Sequence, residues 1–283
     1  DLTKVEIAGP GYVNLHLSAD CLGRLLALLA ADPHRGVRQR FASDCVVIDY
    51  SSPNVAKPRH IGNIRSTIIG AALERVLRAV GYQVVSDNHL GDWGTQFGKL
   101  IVAYRLWCDI DAYRKSPIAE LVRLYQRFVS EEKKEAEALG LKKPDRRAAE
   151  GEEEEGEEEA VQAVTPLLKQ AREELVKLQS GDGENLALWQ DFVRVSLGEF
   201  HKTYARLGIQ FDHEYGESYY HPRLSALVDQ LVSLGLAEPS RGAIICPIEG
   251  EPAPLLVRKA DGSFLYGTTD IATVEYRVKT WHP

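Results

Sequence analysis

Apolar positions change period several times along the 283 residues, and each change marks an element. In "KVEIAGPGYVNLHL", Val13, Leu15 and Leu17 alternate with polar residues. That period predicts two short half-buried strands around the turn Gly9-Pro10-Gly11. In "ADCLGRLLALLAAD", Leu22, Leu25, Leu26 and Leu29 recur at helical spacing, with Asp20 as the expected N-cap. "DCVVIDY" (44–50) is a β-branched run suited to a buried parallel strand. Ile64, Ile68, Ile69, Ala72, Leu73, Val76, Leu77 and Val80 then trace one face of a helix that Gly81 should end, and "YQVVSD" (82–87) reads as the next strand.

Strand, helix and strand in this span predict a βαβ unit with its ligand beyond the carboxyl ends of the strands. Two polar loops fall there, 51–63 and 88–96. Helical periods dominate from Phe97 to about Leu207, interrupted by glutamates and resuming at 161–178 and 186–208, where Gly208 should close the last helix. The stretch 208–222 reads as strand and loop, and 223–234 as helix. Short strands follow in "AIICPI" and "PLLVRKADGSFLYG", the latter with Asp261-Gly262 as a hairpin turn. "TTDIATVEYRVK" returns to helix, capped by Thr268, Thr269 or Asp270.

Composition changes this picture little. The net charge of −7 comes from eight glutamates within residues 150–159; without them 34 cations face 33 anions. That run is expected to be a solvated loop or frayed helix end. Neither a basic tract nor overall acidity decides on a nucleic-acid partner. No apolar run reaches the ~18 residues of a membrane span. The cysteines at 21, 45, 108 and 246 form no metal or redox motif, which predicts buried small apolar residues in a reducing cytoplasm. His201, His213 and His221 lack metal spacing and are expected to be structural or surface residues. With no methionine and an abrupt end after a helical pattern, the chain is expected to be part of a longer protein.

The chemistry concentrates at the helix mouth after the first βαβ strand. Free N–H groups and the helix dipole stabilise phosphate there. Gly62 permits close approach of a nucleotide, His60 can donate to a phosphate oxygen, and Lys57 supplies a mobile cation. Carboxylates at strand ends or in loops, Asp49, Glu217 and Asp270, could pair with a guanidinium, with Tyr266 one turn before Asp270. Other roles stand beside these: Asp270 could cap its helix, Tyr266 could be a core aromatic, and Glu217 a solvated loop residue. Asn88, His89, Asp92 and Gln96 could line the pocket or merely support it.

"SSPNVAKPRHIGNIRSTIIG", "NHLGDWGTQFG", "FDHEYGESYY" and "RKADGSFLYGTTDIA" together resemble class I arginyl-tRNA synthetases. The resemblance implies an α/β, Rossmann-like nucleotide-binding fold with a helical insertion at about 97–207. It divides the chain into the end of an N-terminal tRNA-contacting domain (1–18), a linking helix (19–43) and a truncated catalytic domain (44–283). It implies arginine activation with ATP and Mg²⁺ as substrate, no protein-bound metal, and transfer to tRNA(Arg) by a monomeric cytoplasmic enzyme.

By the same resemblance, His60-Ile61-Gly62-Asn63 corresponds to the class I "HIGH" motif, with Lys57, His60, Gly62 and Asn63 at ATP. Asp49, Ser51 and Asn54 would hold the amine and carboxylate of arginine, and Tyr266, Asp270 and Glu217 its guanidinium. Asn63 departs from the family's second histidine. The family's later "KMSKS"-type loop and anticodon-binding domain are missing here, so this chain alone is expected to be inactive. Two other readings remain open: another nucleotidylyl-transferring enzyme with an HxGx motif, or a non-catalytic synthetase-like binding protein.

Overall fold

The computed structural model describes residues 1–56, 61–141, 164–251, 253–260 and 262–283. Lys57, His60, the glutamate run, the predicted helical residues 161–163 and the turn residue Asp261 lie outside the described residues. The chain divides into two compact units, Asp1–Val46 with Ala72–Val84, and Val47–Ala71 with Val85–Pro283.

In the first unit, β1 (Leu2–Ala8) and β2 (Tyr12–Leu17) form the expected antiparallel ribbon, joined through the Gly11 N–H donating to Gly9 O. The alternation does not bury a face: Val13 and Leu15 are exposed, as is every residue of β2. Helix α1 (Ala19–Ala31) starts two residues earlier than Asp20 as cap would set it. Ser18 is the cap, its hydroxyl accepting from the Cys21 N–H, and Asp20 lies in the first turn, where its charge still suits the dipole. Phe41 stacks on Tyr82 within the same unit.

Strands β3 (Cys45–Asp49) and β4 (Gln83–Asp87) pair with each other, and α2 (Ile61–Ala79) connects them in the chain. The Gln83 N–H donates to Asp44 O at one end and the Tyr50 N–H to Asp87 O at the other, so the two strands run the same way. The buried side of α2 is Thr67, Gly70 and Ala71. The predicted apolar stripe is largely outside: Ile68, Ile69, Leu73 and Val76 are exposed. Close approach decides this. A Cβ on Gly70 would come within 2.3 Å of Tyr50, so the helix meets Tyr50 through its smallest residue.

In the second unit the parallel layer widens at the Asp87–His213 bridge, where the Asn88 N–H donates to His213 O. Between β4 and that segment lie α3 (Thr95–Trp107), α4 (Ile110–Lys115), α5 (Pro117–Ala138), α6 (Pro166–Gln179) and α7 (Gly183–Leu207). α3 is apolar nearly all round and is correspondingly buried, with Phe97, Leu100 and Ile101 packing against Leu121, Leu178 and Phe192. α7 closes as expected at Gly208, whose left-handed φ of 63° returns its N–H to the last turn.

A second core forms where α8 (Glu217–Tyr220) and α9 (Leu224–Ser233) pack with the small sheet β5 (Glu238–Ser240), β6 (Ala243–Cys246) and β7 (Leu255–Arg258) and with α10 (Tyr266–Trp281). The short helix α8 replaces part of the expected loop. α10 starts at Tyr266 behind Leu265, so Thr268, Thr269 and Asp270 are not its caps. Backbone geometry, not a side-chain oxygen, sets that start.

Candidate functional site

The polar loops after β3 and β4 are sewn together before any side chain is considered. The Val55 N–H donates to Gly91 O at 3.0 Å and the Gly91 N–H to Pro53 O at 3.2 Å. Asn88, wholly buried, accepts the Ser52 N–H and donates to Glu214 at 2.9 Å and to the Tyr204 hydroxyl at 3.1 Å. That hydroxyl lies 2.8 Å from Ser51 Oγ, and Thr67 Oγ1 reaches both Ser51 Oγ at 2.8 Å and Asn63 O at 2.6 Å. Ser51 and Ser52 both have positive φ, 77° and 43°, an uncommon conformation for residues with side chains. The bonds to Asn88 and Tyr204 hold them there.

The support reading of the second loop fits three of its residues. Asp92 is buried and accepts the Ser218 N–H at 2.8 Å and the Ser218 hydroxyl at 2.6 Å. Burial raises the Asp92 pKa, while the Ser218 bonds oppose that shift. A Cβ on Gly216 would come within 2.3 Å of the Asp92 carboxyl, so this close approach requires glycine. Gln96 donates to Gly91 O, and Asn88 is committed as above. His89 differs: its Nδ1 is buried without a partner, and its ring packs 5.6 Å from that of Tyr220.

Of the arginine candidates, Ser51 is buried beneath its loop, whereas Ser52, not singled out from sequence, is exposed and donates its hydroxyl to Asp49 at 2.9 Å. Asn54 is exposed beside Gly91. Glu217 opens α8, its carboxylate accepting the Trp93 N–H at 3.3 Å and its own N–H donating to Leu90 O. Tyr266 is half exposed at the start of α10, which removes the core-aromatic role. Asp270 lies one turn further on and reaches solvent. Partial burial of its carboxyl raises its pKa; His89 opposes this, Asp49 adds to it and Arg277 opposes it. Electrostatics therefore joins Asp49, His89 and Asp270 in one neighbourhood with Arg277.

Arg277 is the residue the sequence reading missed. Its guanidinium donates to Asp49 at 2.7 Å and to Asp87 at 2.8 Å. The available signal was its spacing on α10, seven residues after Asp270, which returns it to the same helical face. Gly62 and Asn63 stand half-buried in the first turn of α2.

Apart from this cluster, a cavity of about 430 Å³ is lined by Leu90, Asp92, Trp93, Trp189, Val193 and Tyr219 among others. Among the described residues, Asp92 is the one predicted site residue that lines it. Among the described residues no group of three His, Cys, Asp or Glu could hold a metal ion, and no helix is long and apolar enough to cross a membrane.

Comparison with known proteins identifies the family and the fold. A family described as "tRNA synthetases class I (R), catalytic domain" matches residues 25–283. The arginine–tRNA ligase of Fusobacterium nucleatum is 40% identical over 282 residues, covering 99% of this chain and 44% of that protein. That of Rhodopirellula baltica is 38% identical, covering 98% and 50%. The chain thus spans about half the length of the curated relatives it matches. The crystal structure of arginyl-tRNA synthetase from Plasmodium falciparum is similar at a TM-score of 0.62 and 26% identity, covering 98% of this chain and 44% of that one. The Thermus thermophilus arginyl-tRNA synthetase shares the fold at a TM-score of 0.59 and 18% identity, covering 98% and 42%.

Proposed function

Because the chain belongs to the class I arginyl-tRNA synthetase catalytic-domain family, we propose that the protein carrying it is an arginine–tRNA ligase. The carboxylate of L-arginine attacks the α-phosphate of ATP, giving arginyl-adenylate and pyrophosphate. The terminal ribose hydroxyl of tRNA(Arg) then takes the arginyl group and releases AMP. Mg²⁺ enters on the phosphates of ATP. The enzyme would work as a monomer in the cytoplasm, and the segment 1–18 would belong to a tRNA-contacting domain.

The observation that carries this reading is Asp270, a carboxylate with no hydrogen bond or ion pair among the described residues, in the electrostatic neighbourhood of Asp49 and His89. An arginine side chain is always cationic and needs such a partner. Tyr266 and Glu217 would flank it. Asp49, Ser51 and Asn54, with Ser52 alongside, would hold the amine and carboxylate end. The first turn of α2, with Gly62 and Asn63, would offer N–H groups to the phosphates, and by resemblance Lys57 and His60 would meet the charge developing there. Positioning and charge stabilisation do the catalytic work.

Calorimetric titration tests the reading. L-arginine should bind and citrulline, which keeps the shape without the charge, should not. Asp270→Asn should abolish arginine binding. Equal binding of both ligands would overturn the charge argument.

A further inference from the structure

Spacings of four, three and four residues place Tyr266, Asp270, Thr273 and Arg277 on one face of α10. Two of these four are charged, and they are treated differently. Arg277 donates through Nη2 to both Asp49 and Asp87 and through Nε to Asp87 at 3.2 Å. Its side chain is 13% exposed, Asp87 is wholly buried, and Asp49 keeps 32% of its surface. Burial alone would lower the Arg277 pKa; Asp49 and Asp87 overcome that and raise it. Among the described residues Asp270 has no comparable partner.

A pair of carboxylates at the ends of two adjacent parallel strands would itself attract a guanidinium. In a site that must accept arginine, that pair is a hazard, because the substrate could dock there with its reacting carboxylate pointing the wrong way. The protein fills the pair with a guanidinium of its own.

We propose that Arg277 is a positioning residue that closes the Asp49–Asp87 pair to the substrate's guanidinium. It thereby assigns that group to Asp270 and leaves the solvent-facing lone pairs of Asp49 for the substrate's ammonium. This rests on the arginine-activating reading above. Asp87, buried and reached by no solvent, acts as the anchor that keeps the Arg277 guanidinium from following the substrate.

The test is steady-state aminoacylation by the full-length protein with tRNA(Arg), varying L-arginine and ATP separately. Arg277→Ala should raise the KM for arginine about tenfold or more, leave the KM for ATP within about twofold, and show inhibition at high arginine from reversed docking. Millimolar guanidinium chloride should restore the arginine KM of that variant, whereas it should only compete in the unsubstituted protein. Arg277→Lys, which keeps the charge without the fork, should fall between the two.

An unchanged arginine KM in Arg277→Ala, or equal increases in both KM values without rescue, would overturn the proposal while leaving the ligase reading intact. If Arg277→Ala does not fold, Arg277→Lys decides: a raised arginine KM with an unchanged thermal midpoint supports the proposal, and an unchanged KM overturns it. Absence of arginine-dependent activity in the unsubstituted protein would remove both readings.

Discussion

The Asp92 carboxylate receives both the backbone N–H and the hydroxyl of Ser218, at 2.8 and 2.6 Å, from 126 residues away. This clamp fixes the loop after β4 against the start of α8, and so fixes Glu217 beside Trp93. Asp92 is 5% exposed, so neither bond is readily replaced by water. Ser218→Ala should cost about 2 kcal/mol of unfolding free energy at pH 7, a typical value for a hydroxyl bonded to a buried carboxylate. Burial raises the Asp92 pKa above its unfolded value. Its favourable contribution to folding is therefore present at acid pH and is lost as pH rises through the folded pKa. The Ser218 bonds limit that loss, so the Ser218→Ala penalty should shrink when pH falls below the folded pKa. Denaturant unfolding of both proteins at pH 7 and pH 4 measures this, and a pH-independent penalty would contradict it.

Arginine affinity should depend on pH through Asp270. Burial raises its pKa from the ordinary aspartate value, with His89 and Arg277 opposing and Asp49 adding. A protonated carboxyl cannot pair with a guanidinium, so affinity should be full at neutral pH. It should fall as acid is added, beginning above the range where an unperturbed aspartate titrates. Calorimetric titrations from pH 7 down to pH 4 would trace this. Asp270→Asn should bind weakly across the range with a flat profile.

By resemblance Asn63 stands where the family has a histidine, a side chain that can carry charge as asparagine cannot. It stands in the first turn of α2, where a cation and an anionic ligand would attract each other. Asn63→His in the full-length protein should lower the KM for ATP severalfold, more so at pH 6 than at pH 8, and leave the KM for arginine unchanged. An unchanged ATP KM at both pH values would show that Asn63 already supplies the whole interaction.

Much of the βαβ segment was legible because strand and helix there differ in period and because Gly81, with its positive φ of 109°, and the polar loops punctuate the chain. Cap positions were less so. Ser18 and Asp20 are both good caps, and only the backbone decides between them. At α10 none of the three polar candidates was chosen, because the helix enters through Leu265. The apolar stripe of α2 marked a helix but not its buried side, which Gly70 sets by permitting contact with Tyr50. In the site, Asp49 and Asp270 announce themselves as carboxylates at meaningful places. Arg277 does not, since its partner Asp49 is 228 residues distant and only folding brings them together.

The three hydroxyls that link Asn88 to Asn63 meet at a branch on Thr67. Its single proton faces two acceptors, Asn63 O at 2.6 Å and Ser51 Oγ at 2.8 Å, and can serve only one at a time. At the other end the Asn88 amide donates to the Tyr204 hydroxyl, which lies 2.8 Å from Ser51 Oγ. A turn of one hydroxyl about its own C–O bond therefore trades a tie to the backbone of α2 for a tie to a loop residue of positive φ, with no heavy atom moving.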